Sequence, residues 1–279
     1  MAAGPRLALE LPIIWMDPMK IATWNVNSIK ARLEHLTRWL DAAKPDIALL
    51  QELKCEESSF PAMELKGLGY NAAVSGQKTY NGVAILARGR ISDVTAALPG
   101  DKSDEQARYI EATVTPEDGK PVRAASVYVP NGGELGSDKY AYKLRFYGRL
   151  TEHMERALAA EQSLVLGGDF NVAPWDIDVH DPKAWRGQVL VSQPERAALR
   201  RLLNLGMTDA VRVLHPGPGQ YSWWDYRNNA WPRNDGLRID HLLLSPRAAD
   251  RLSEAGIDKT PRGWDKASDH TPVWCAVGR

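Results

Sequence analysis

The chain reads SLVLGGDFNVAPWDIDV over residues 163–179. The apolar run at 163–166 predicts a short buried strand, and Gly167 and Gly168 let the chain leave the sheet where side chains would clash. Asp169 and Asn171 follow directly, although neither residue adds anything to an apolar core. A buried strand that ends in an acid and an amide indicates a functional site at that edge of a sheet.

Apolar strands alternate with amphipathic helices through the rest of the chain. Strands are predicted at 19–28, 46–55, 81–88, 109–114, 122–130, 221–227, 237–245 and 271–277. The segments at 109–114 and 122–130 flank the turn signal Asp118-Gly119 and therefore predict an antiparallel hairpin. Since the strand-helix alternation also favours parallel pairs, the sheet is predicted to be mixed.

Three helices are predicted from the spacing of apolar residues. Ser28 is the expected N-cap of the first, in which Ile29, Leu33, Leu36 and Leu40 share a face and which Pro45 ends. The second covers 139–160, and its predicted apolar face consists of Tyr140, Leu144, Tyr147, Met154 and Leu158. The third covers 194–205, starting at Pro194 and stopping near Gly206.

The composition is ordinary for a soluble protein with a sizeable core. Of the 279 residues, 44% are hydrophobic and 25% charged, and 35 basic residues balance 35 acidic ones. This balance argues against nonspecific coating of a nucleic acid. Cys55 and Cys275 fit no zinc spacing or disulfide framework, which favours free thiols in a reducing cytoplasm. No apolar run approaches the roughly 20 residues of a membrane span, so no membrane partner is expected.

The first 18 residues differ in character from the rest of the chain. They contain Glu10 and Asp17 and lack a basic flank or a small-residue cleavage site, so a signal peptide is not predicted. Because a strong strand pattern opens at Met19, residues 1–18 are expected to be a disordered N-terminal extension or a start-site artefact. Residues 19–279 are predicted to form a single domain, since no repeat or low-complexity linker divides them.

Polar residues follow the predicted strands in six segments. They are Asn25, Glu52, Tyr128 with Asn131, Asp169 with Asn171, Asp240, and Asp269 with His270, each expected at the carboxyl end of its strand. Singly, the asparagines could be turn formers, the glutamate a surface acid and the tyrosine a half-buried strand residue. Their joint recurrence predicts one site, because loops at strand ends carry the sites of α/β folds.

The residue types in this set favour metal-assisted chemistry on a phosphate. Glu52, Asp169, Asp240 and Asp269 are acids that would repel one another unless protons or a cation compensate. Oxygen ligands without a Cys or His cluster favour Mg²⁺ or Mn²⁺ over zinc, and Mg²⁺ keeps waters that a phosphate can replace. His270, oriented by a neighbouring carboxylate, could donate to a phosphoryl oxygen. A serine hydrolase is disfavoured, because no Gly-x-Ser-x-Gly segment is present.

Eight short segments carry a family resemblance. In chain order they are ATWNVNSIKARL (22–33), LLQELKC (49–55), YNGVAIL (80–86), YVPNG (128–132), GGDFNVAP (167–174), YSWWDYR (221–227), GLRIDHLLLS (236–245) and SDHTPV (268–273). This order resembles that of exonuclease III type enzymes in the endonuclease/exonuclease/phosphatase superfamily. GDFN and SDH indicate only the superfamily, whereas QELK, YVPNG and WWDYR with GLRID resemble its DNA-repair branch.

The resemblance implies both a fold and a reaction. The implied fold is an α/β (α+β) four-layered sandwich, in which two mixed β-sheets pack face to face between flanking helices. The implied reaction is Mg²⁺-dependent hydrolysis of the phosphodiester 5′ of abasic sites in duplex DNA, with 3′–5′ exonuclease or 3′-phosphatase activity. A monomer is also implied.

The resemblance implies roles for four residues in binding the metal and in activating the attacking water. Glu52 is implied as the principal metal ligand, with Asn25 and Asp269 close to the metal. Asp169 is implied to orient or deprotonate the attacking water.

The remaining catalytic positions concern the phosphate. Asn171 is implied to hold the geometry of the attack and to contact the phosphate. Tyr128 and His270, the latter paired with Asp240, are implied to bind the oxygens of the scissile phosphate.

Substrate recognition rests on fewer features. Trp223 is implied to wall the pocket for a flipped abasic sugar. The alternative for Trp223 and Trp224 is a strand alternation that puts one ring in the core. Asn131 is a further candidate contact to the substrate. Other candidates, most of which are otherwise ordinary solvated charges, are Asn27, Lys30, Arg32, Lys54, Lys78, Arg227 and Arg233.

Two other functions stay open on the sequence alone. A phosphoesterase for a small or lipid phosphate predicts a basic inositol-phosphate cluster or an apolar membrane loop, and neither is evident. A DNA-binding scaffold without catalysis is disfavoured, because every proposed catalytic position holds a competent residue.

Overall fold

The apolar strands assemble into two six-stranded mixed sheets. The computed structural model describes residues 18–117 and 119–279. In this part of the chain the strands are β1 (Met19–Asn25), β2 (Ile47–Gln51), β3 (Asn71–Ser75), β4 (Val83–Ala87), β5 (Arg90–Thr95), β6 (Tyr109–Thr115), β7 (Val122–Tyr128), β8 (Leu164–Asp169), β9 (Thr208–Asp209), β10 (Asp240–Leu244), β11 (Leu252–Ile257) and β12 (Val273–Val277). The sheets have the orders β11-β12-β1-β2-β4-β3 and β5-β6-β7-β8-β10-β9. Only β1 with β2 and β7 with β8 pair in parallel, so the predicted mixture and the β6–β7 hairpin are confirmed.

Seven α-helices flank the two sheets in the described residues. They are α1 (Leu33–Ala43), α2 (Ala62–Gly67), α3 (Asp138–Leu158), α4 (Gln193–Leu203), α5 (Ala210–Leu214), α6 (Ala230–Arg233) and α7 (Pro246–Ala249). The two later predicted helices match α3 and α4. In the structure each of them begins after a serine N-cap. The Ser137 hydroxyl accepts the Tyr140 amide at 3.2 Å, and Ser192 forms a capping box with Glu195. Among the described residues, no helix has the length and apolar character of a membrane span.

Three apolar clusters separate the layers. The central cluster joins side chains of both sheets, among them Ile21 and Leu49 from the first and Val165 and Leu242 from the second. A second cluster lies between the first sheet and α1 and α2, and a third between the second sheet and α3 and α4. The structure is therefore the predicted four-layered sandwich. Residues 1–17 and Asp118, which bear on the predicted extension and turn, lie outside the described residues.

Four strands were not predicted, and all four lie at sheet edges. They are β3, β5, β9 and β11. An edge strand faces solvent along one side, so it is short or polar and lacks the continuous apolar run of an inner strand. β5 has no buried residue, and β9 is two residues long.

The first helix begins later than predicted. Asn27 and Ser28 have φ of 45° and 86°, so Ser28 is not the N-cap and α1 starts at Leu33. The Ser28 amide instead donates to the Glu52 carbonyl at 2.7 Å. Residues 28–32 are therefore not part of α1. The hydrogen bond from Ser28 connects the loop after β1 to the loop after β2.

The prediction of a strand at 221–227 was wrong, because this segment forms no regular strand. Trp223 makes only isolated bridges, to Leu237 and His270, and the neighbouring residues extend no ladder. The alternation of the two rings is nevertheless correct, because Trp224 is buried and Trp223 is partly exposed.

The polar residues meet at one edge of the sandwich, but not all at carboxyl ends. Asp240 is the first residue of β10, where it pairs with Asp169 at the end of β8. Asp269 and His270 likewise precede β12. Because β10 and β12 run antiparallel to β8 and β1, their amino ends lie beside the carboxyl ends of those strands. The prediction of carboxyl ends was wrong for these three residues, whereas the prediction of a shared edge was right.

Candidate active site

Two loop residues turn their side chains inward through unusual backbone conformations. Glu52 and Asn171, which follow β2 and β8, have φ of 53° and 50°. Non-glycine residues in this left-handed region are uncommon and cluster at functional sites. The chain therefore turns sharply at the end of both inner strands, where the candidate residues begin.

A carboxylate pair bridged by an amide forms the centre of the site. Asn25 donates through Nδ2 to Glu52 Oε1 at 2.8 Å and to Asp169 Oδ2 at 3.0 Å. Lys54 Nζ lies 2.8 Å from Glu52 Oε2. Three separate strand ends thus bring two carboxylates to one asparagine.

Asp169 is held rigidly by the segment that follows it. The Asn171 amide donates to Asp169 Oδ1 at 2.9 Å, and Asn171 Nδ2 donates to the Val129 carbonyl at 2.9 Å. Asn131 Nδ2 in turn donates to Asn171 Oδ1 at 3.2 Å. The loops after β7 and β8 are joined through these two asparagines.

An imidazole faces this group from the other side. His270 Nδ1 lies 2.9 Å from Asp240 Oδ2, and His270 Nε2 lies 3.7 Å from Asp169 Oδ2. The Ser222 hydroxyl donates to Asp240 Oδ2 at 2.6 Å, which fixes the carboxylate that orients the ring. Burial opposes a charge on the imidazole, but Asp240 and Asp169 outweigh it and raise the pKa of His270 to about 10.

The neighbours of Asp169 and Glu52 shift the pKa values of these two acids in opposite directions. Burial, reinforced by the charges of Asp240 and Glu52, raises the pKa of Asp169 to about 7. Burial would also raise the pKa of Glu52, but Lys54 and Asn25 outweigh it and hold that pKa below its ordinary value. Asp169 is therefore the acid that titrates near neutrality.

Tyr128 has a hydroxyl that stays protonated. Burial and the nearby carboxylates of Glu52 and Asp169 raise the pKa of Tyr128 well above its ordinary value. Arg108 lies over the ring, 4.7 Å from its centroid. The phenol is therefore a permanent hydrogen-bond donor at the edge of the site.

The acidic cluster could bind a metal ion. Among the described residues, Glu52, Asp169 and His270 offer ligand atoms within 4.8 Å of one another. The repulsion that helps to raise the pKa of Asp169 is what a bound cation would relieve. Asn25 lies inside this group, but Asp269, the third predicted ligand, is engaged elsewhere.

Asp269 binds the loop that carries the exposed tryptophan. Its Oδ2 accepts Trp223 Nε1 at 3.0 Å, and its Oδ1 accepts Asn27 Nδ2 at 2.9 Å. Trp223 packs against an apolar cluster that includes Leu237 and Ile239. Asp269 therefore connects Asn27, in the loop after β1, to the partly exposed Trp223.

The basic candidates divide into two groups. Lys54 and Arg32 lie in the site: Lys54 Nζ donates to Asn27 Oδ1 at 2.5 Å, and Arg32 donates to the Asn27 carbonyl at 2.5 Å. The side chain of Arg227 is 82% exposed and pairs with Asp225. The other three predicted contacts are exposed and are not held in the site: Lys30, Lys78 and Arg233.

The sequence did not point to three residues that support the site. Ser222 fixes Asp240, and the Tyr226 hydroxyl accepts from Asn27 at 3.2 Å and donates to the Ala267 carbonyl at 2.8 Å. The third is Lys143, buried in α3. A serine beside a tryptophan pair gave no signal, whereas a lysine on the apolar face of a helix is one that could have been found.

The chain resembles known proteins over nearly its whole length. The model of the Endonuclease/Exonuclease/phosphatase family matches residues 22–270. Exodeoxyribonuclease III of Haemophilus influenzae is 33% identical over 264 residues, which cover 92% of this chain and 98% of that protein. The 3′ phosphatase NExo from Neisseria, solved with a product DNA hairpin, is 42% identical with a TM-score of 0.90, over 94% of this chain and 100% of that one. An AP endonuclease from Archaeoglobus fulgidus is 37% identical with a TM-score of 0.88, over 93% and 99% of the two chains. The chain therefore belongs to the endonuclease/exonuclease/phosphatase family, and it is a DNA-repair nuclease of the exonuclease III and AP endonuclease type.

Proposed function

We propose that this nuclease uses Mg²⁺ to hydrolyse the phosphodiester 5′ of abasic sites in duplex DNA, and that it also trims 3′ ends. The observation that carries the proposal is the meeting of Asp169, held by Asn25 and Asn171, with the His270–Asp240 pair at one edge of the sandwich. Proteins similar to the chain are named for AP endonuclease, exonuclease and 3′ phosphatase activities.

Asp169 is proposed to orient and deprotonate the attacking water. A general base works best when its pKa lies near the operating pH, and burial moves the pKa of Asp169 upwards in that direction. Asn171 keeps the carboxylate aimed through its amide bond and contacts the phosphate.

His270 and Tyr128 are proposed to bind the oxygens of the scissile phosphate. Paired with Asp240, His270 stays protonated at neutral pH, since its pKa is about 10. Tyr128 likewise keeps its proton. Two donors therefore face the place where negative charge grows during the attack, which is the arrangement that stabilises such a transition state.

Glu52, Asn25 and Asp269 are proposed to hold the metal or to lie beside it. Oxygen donors favour Mg²⁺, with Mn²⁺ as a substitute. When bound, the ion would neutralise charge on the phosphate and on the leaving oxygen. Lys54 already balances part of the charge of Glu52.

Substrate binding is proposed to follow the rim of the site. Trp223 walls the pocket for the flipped sugar, and Asn131, Asn27, Lys54 and Arg227 contact the sugar and the flanking phosphates. The supporting observation is that Trp223 is partly exposed while Trp224 is fully buried, so only one of the two rings reaches the pocket.

The test is a nicking assay on four substrates: abasic, intact blunt-ended and 3′-phosphate duplexes, and an inositol phosphate. We expect nicking of the abasic duplex that a chelator abolishes and that Mg²⁺ restores. Glu52→Gln should lower the rate by several orders of magnitude, whereas Glu64→Gln, an exposed glutamate in α2, should not change it. Faster turnover of the inositol phosphate would refute the DNA substrate, and full activity with chelator would refute the metal.

Three further properties belong to the proposal. A single domain over residues 19–279 is supported by the apolar cluster that both sheets share. A cytoplasmic location is supported by two buried free cysteines. A monomer is proposed from the resemblance, and residues 1–18 have no part in the chemistry.

A further inference from the structure

A buried lysine lies directly behind the two loops that carry the site asparagines. The Lys143 side chain has no exposed surface. Its ammonium donates to the Asn171 carbonyl at 2.7 Å, to the Asn131 carbonyl at 3.1 Å, and to the Glu195 carboxylate. An ammonium has three N–H donors, and each has one acceptor here.

Tyr147 extends this contact by one helical turn. Its hydroxyl donates to the Phe170 carbonyl at 2.7 Å. Lys143 and Tyr147 are four residues apart, so they project from the same face of α3. Two side chains of α3 therefore donate hydrogen bonds to the carbonyls of Phe170 and Asn171, the two residues directly after Asp169.

Fold stability alone does not explain a charged pair at this position. Replacing a buried ion pair by apolar side chains of similar volume is often neutral or stabilising. Glu195 already has a structural task, since its Oε1 accepts the Ser192 amide at 2.8 Å at the start of α4. What an apolar residue at 143 could not supply is donors for the two loop carbonyls.

The loop after β7 is shaped to fit against the lysine. Gly132 has φ of +97°, and a Cβ there would lie 3.1 Å from Lys143 Cδ and 3.2 Å from Val189 Cγ2. Any other residue would be strained at this φ and would require Lys143 or Val189 to shift by a few tenths of an ångström. The NG of YVPNG is thus explained by packing on Lys143 as well as by the turn.

We propose that Lys143, supported by Tyr147, is a positioning residue for the nuclease reaction. It acts through the loops, because its ammonium is fully buried and donates to Asn131, Asn171 and Glu195. It holds the loops after β7 and β8 at the separation that lets Asn131 bond Asn171 and lets the Asn171 amide bond Asp169. The consequence for the rate rests on the proposed function, whereas the consequence for the loops does not.

The first test removes the hydrogen bonds from Lys143 to the two loop carbonyls. It also removes the charge of Glu195, so that no unpaired charge stays buried. In Lys143→Met/Glu195→Gln both charges are absent and the Ser192 bond is retained, and Tyr147→Phe removes only one hydroxyl. Met154→Ala, a buried change on α3 two helical turns beyond Tyr147, removes no hydrogen bond to a loop carbonyl and is the control for lost stability. We expect the double variant to lose about 10- to 100-fold in kcat with KM near wild type, as supporting residues around active sites typically do. Tyr147→Phe should lose less, and Met154→Ala should keep its kcat at temperatures where it is folded.

The second test measures the loops themselves by hydrogen exchange of the segment 169–172. Exchange at the Asn171 amide should speed up in the double variant and stay at the wild-type rate in Met154→Ala. Wild-type exchange in the double variant, or a wild-type kcat, would overturn the inference. If the wild-type enzyme cleaved none of the duplexes, the proposed function would fail, and exchange alone would decide whether Lys143 positions the loops.

Discussion

Two groups of buried charges lie at the start of β10, and they are built differently. The first, which we call the Asp169 group and propose as the catalytic one, contains Asp240, Asp169 and His270. The second, which we call the Arg238 network, contains Arg238, Arg212, Asp178, Asp209 and His241. Both are withdrawn from water, so the difference between them lies in how the charges are paired.

The Arg238 network is balanced. Arg238 donates to Asp178 Oδ1 and to Asp209 Oδ2, both at 2.7 Å, and Arg212 also donates to Asp178. Burial would raise the pKa of Asp209, but Arg238 outweighs it and lowers that pKa. Two guanidinium groups therefore satisfy two carboxylates.

The Asp169 group has an excess of negative charge. Asp169 and Asp240 share one imidazole, and Glu52 adds a further carboxylate. The pKa of Asp169 is raised where that of Asp209 is lowered. In the Arg238 network the loss of one partner would leave an uncompensated buried charge, whereas the excess negative charge around Asp169 lies where we propose a cation and a proton transfer.

The largest expected effect is on catalysis by Asp169→Asn. Loss of a general base, the role that we propose for Asp169, typically lowers kcat by about 10²- to 10⁴-fold. Stability should not fall: the folded pKa of about 7 lies above the ordinary 3.8, so ionisation destabilises the fold as pH rises through 7. The measurements are kcat with Mg²⁺ present and, in a separate experiment, the thermal midpoint at pH 8 in chelator. A large drop in the midpoint would remove the distinction between the two groups.

Arg238→Met should instead act on stability. Breaking a buried pair leaves an uncompensated charge and typically costs about 3–5 kcal/mol, here mainly at Asp209, since Asp178 keeps Arg212. Urea unfolding measures this loss of unfolding free energy. Arg227→Met, which removes an exposed pair with Asp225, is the matched control and should leave the urea midpoint unchanged. Equal midpoints for the two variants would show that the network does not stabilise the fold.

The smallest expected effect concerns Glu111. It tests whether a buried acid that is paired with basic side chains has a lowered pKa, as Asp209 does. Arg123 Nη2 lies 2.9 Å from Glu111 and His153 Nε2 lies 3.2 Å from it. Burial would raise the pKa of Glu111, but His153 and Arg123 outweigh it and lower that pKa to about 2. The folded pKa lies below the ordinary 4.5, so this stabilisation is present above pH 4.5 and is lost as pH falls towards 2.

Glu111→Gln should therefore weaken the fold at pH 7 and flatten its loss of stability below pH 4.5. Urea midpoints of wild type and variant at pH 7, 4 and 3 measure the difference. Parallel curves over that range would contradict a lowered pKa.

The inner strands could be predicted because they lie between two packed layers. β2 and β4 are buried along their whole length, so their apolar runs are visible without any partner. The edge strands β3, β5, β9 and β11 have no such run, because half of their surroundings is solvent. Their pairing is decided by neighbours that are remote in sequence.

The same division holds for the site. The sequence by itself determined which chemical groups are present, because acids and amides at the ends of apolar strands have no packing purpose there. Only the tertiary structure decided their partners: that Asp269 binds Trp223 and Asn27, that Ser222 fixes Asp240, and that Lys143 holds two loop carbonyls. The physical reason is that hydrogen bonds and charge pairing act over a few ångströms in space, and most of these contacts join residues tens to hundreds of positions apart in the chain.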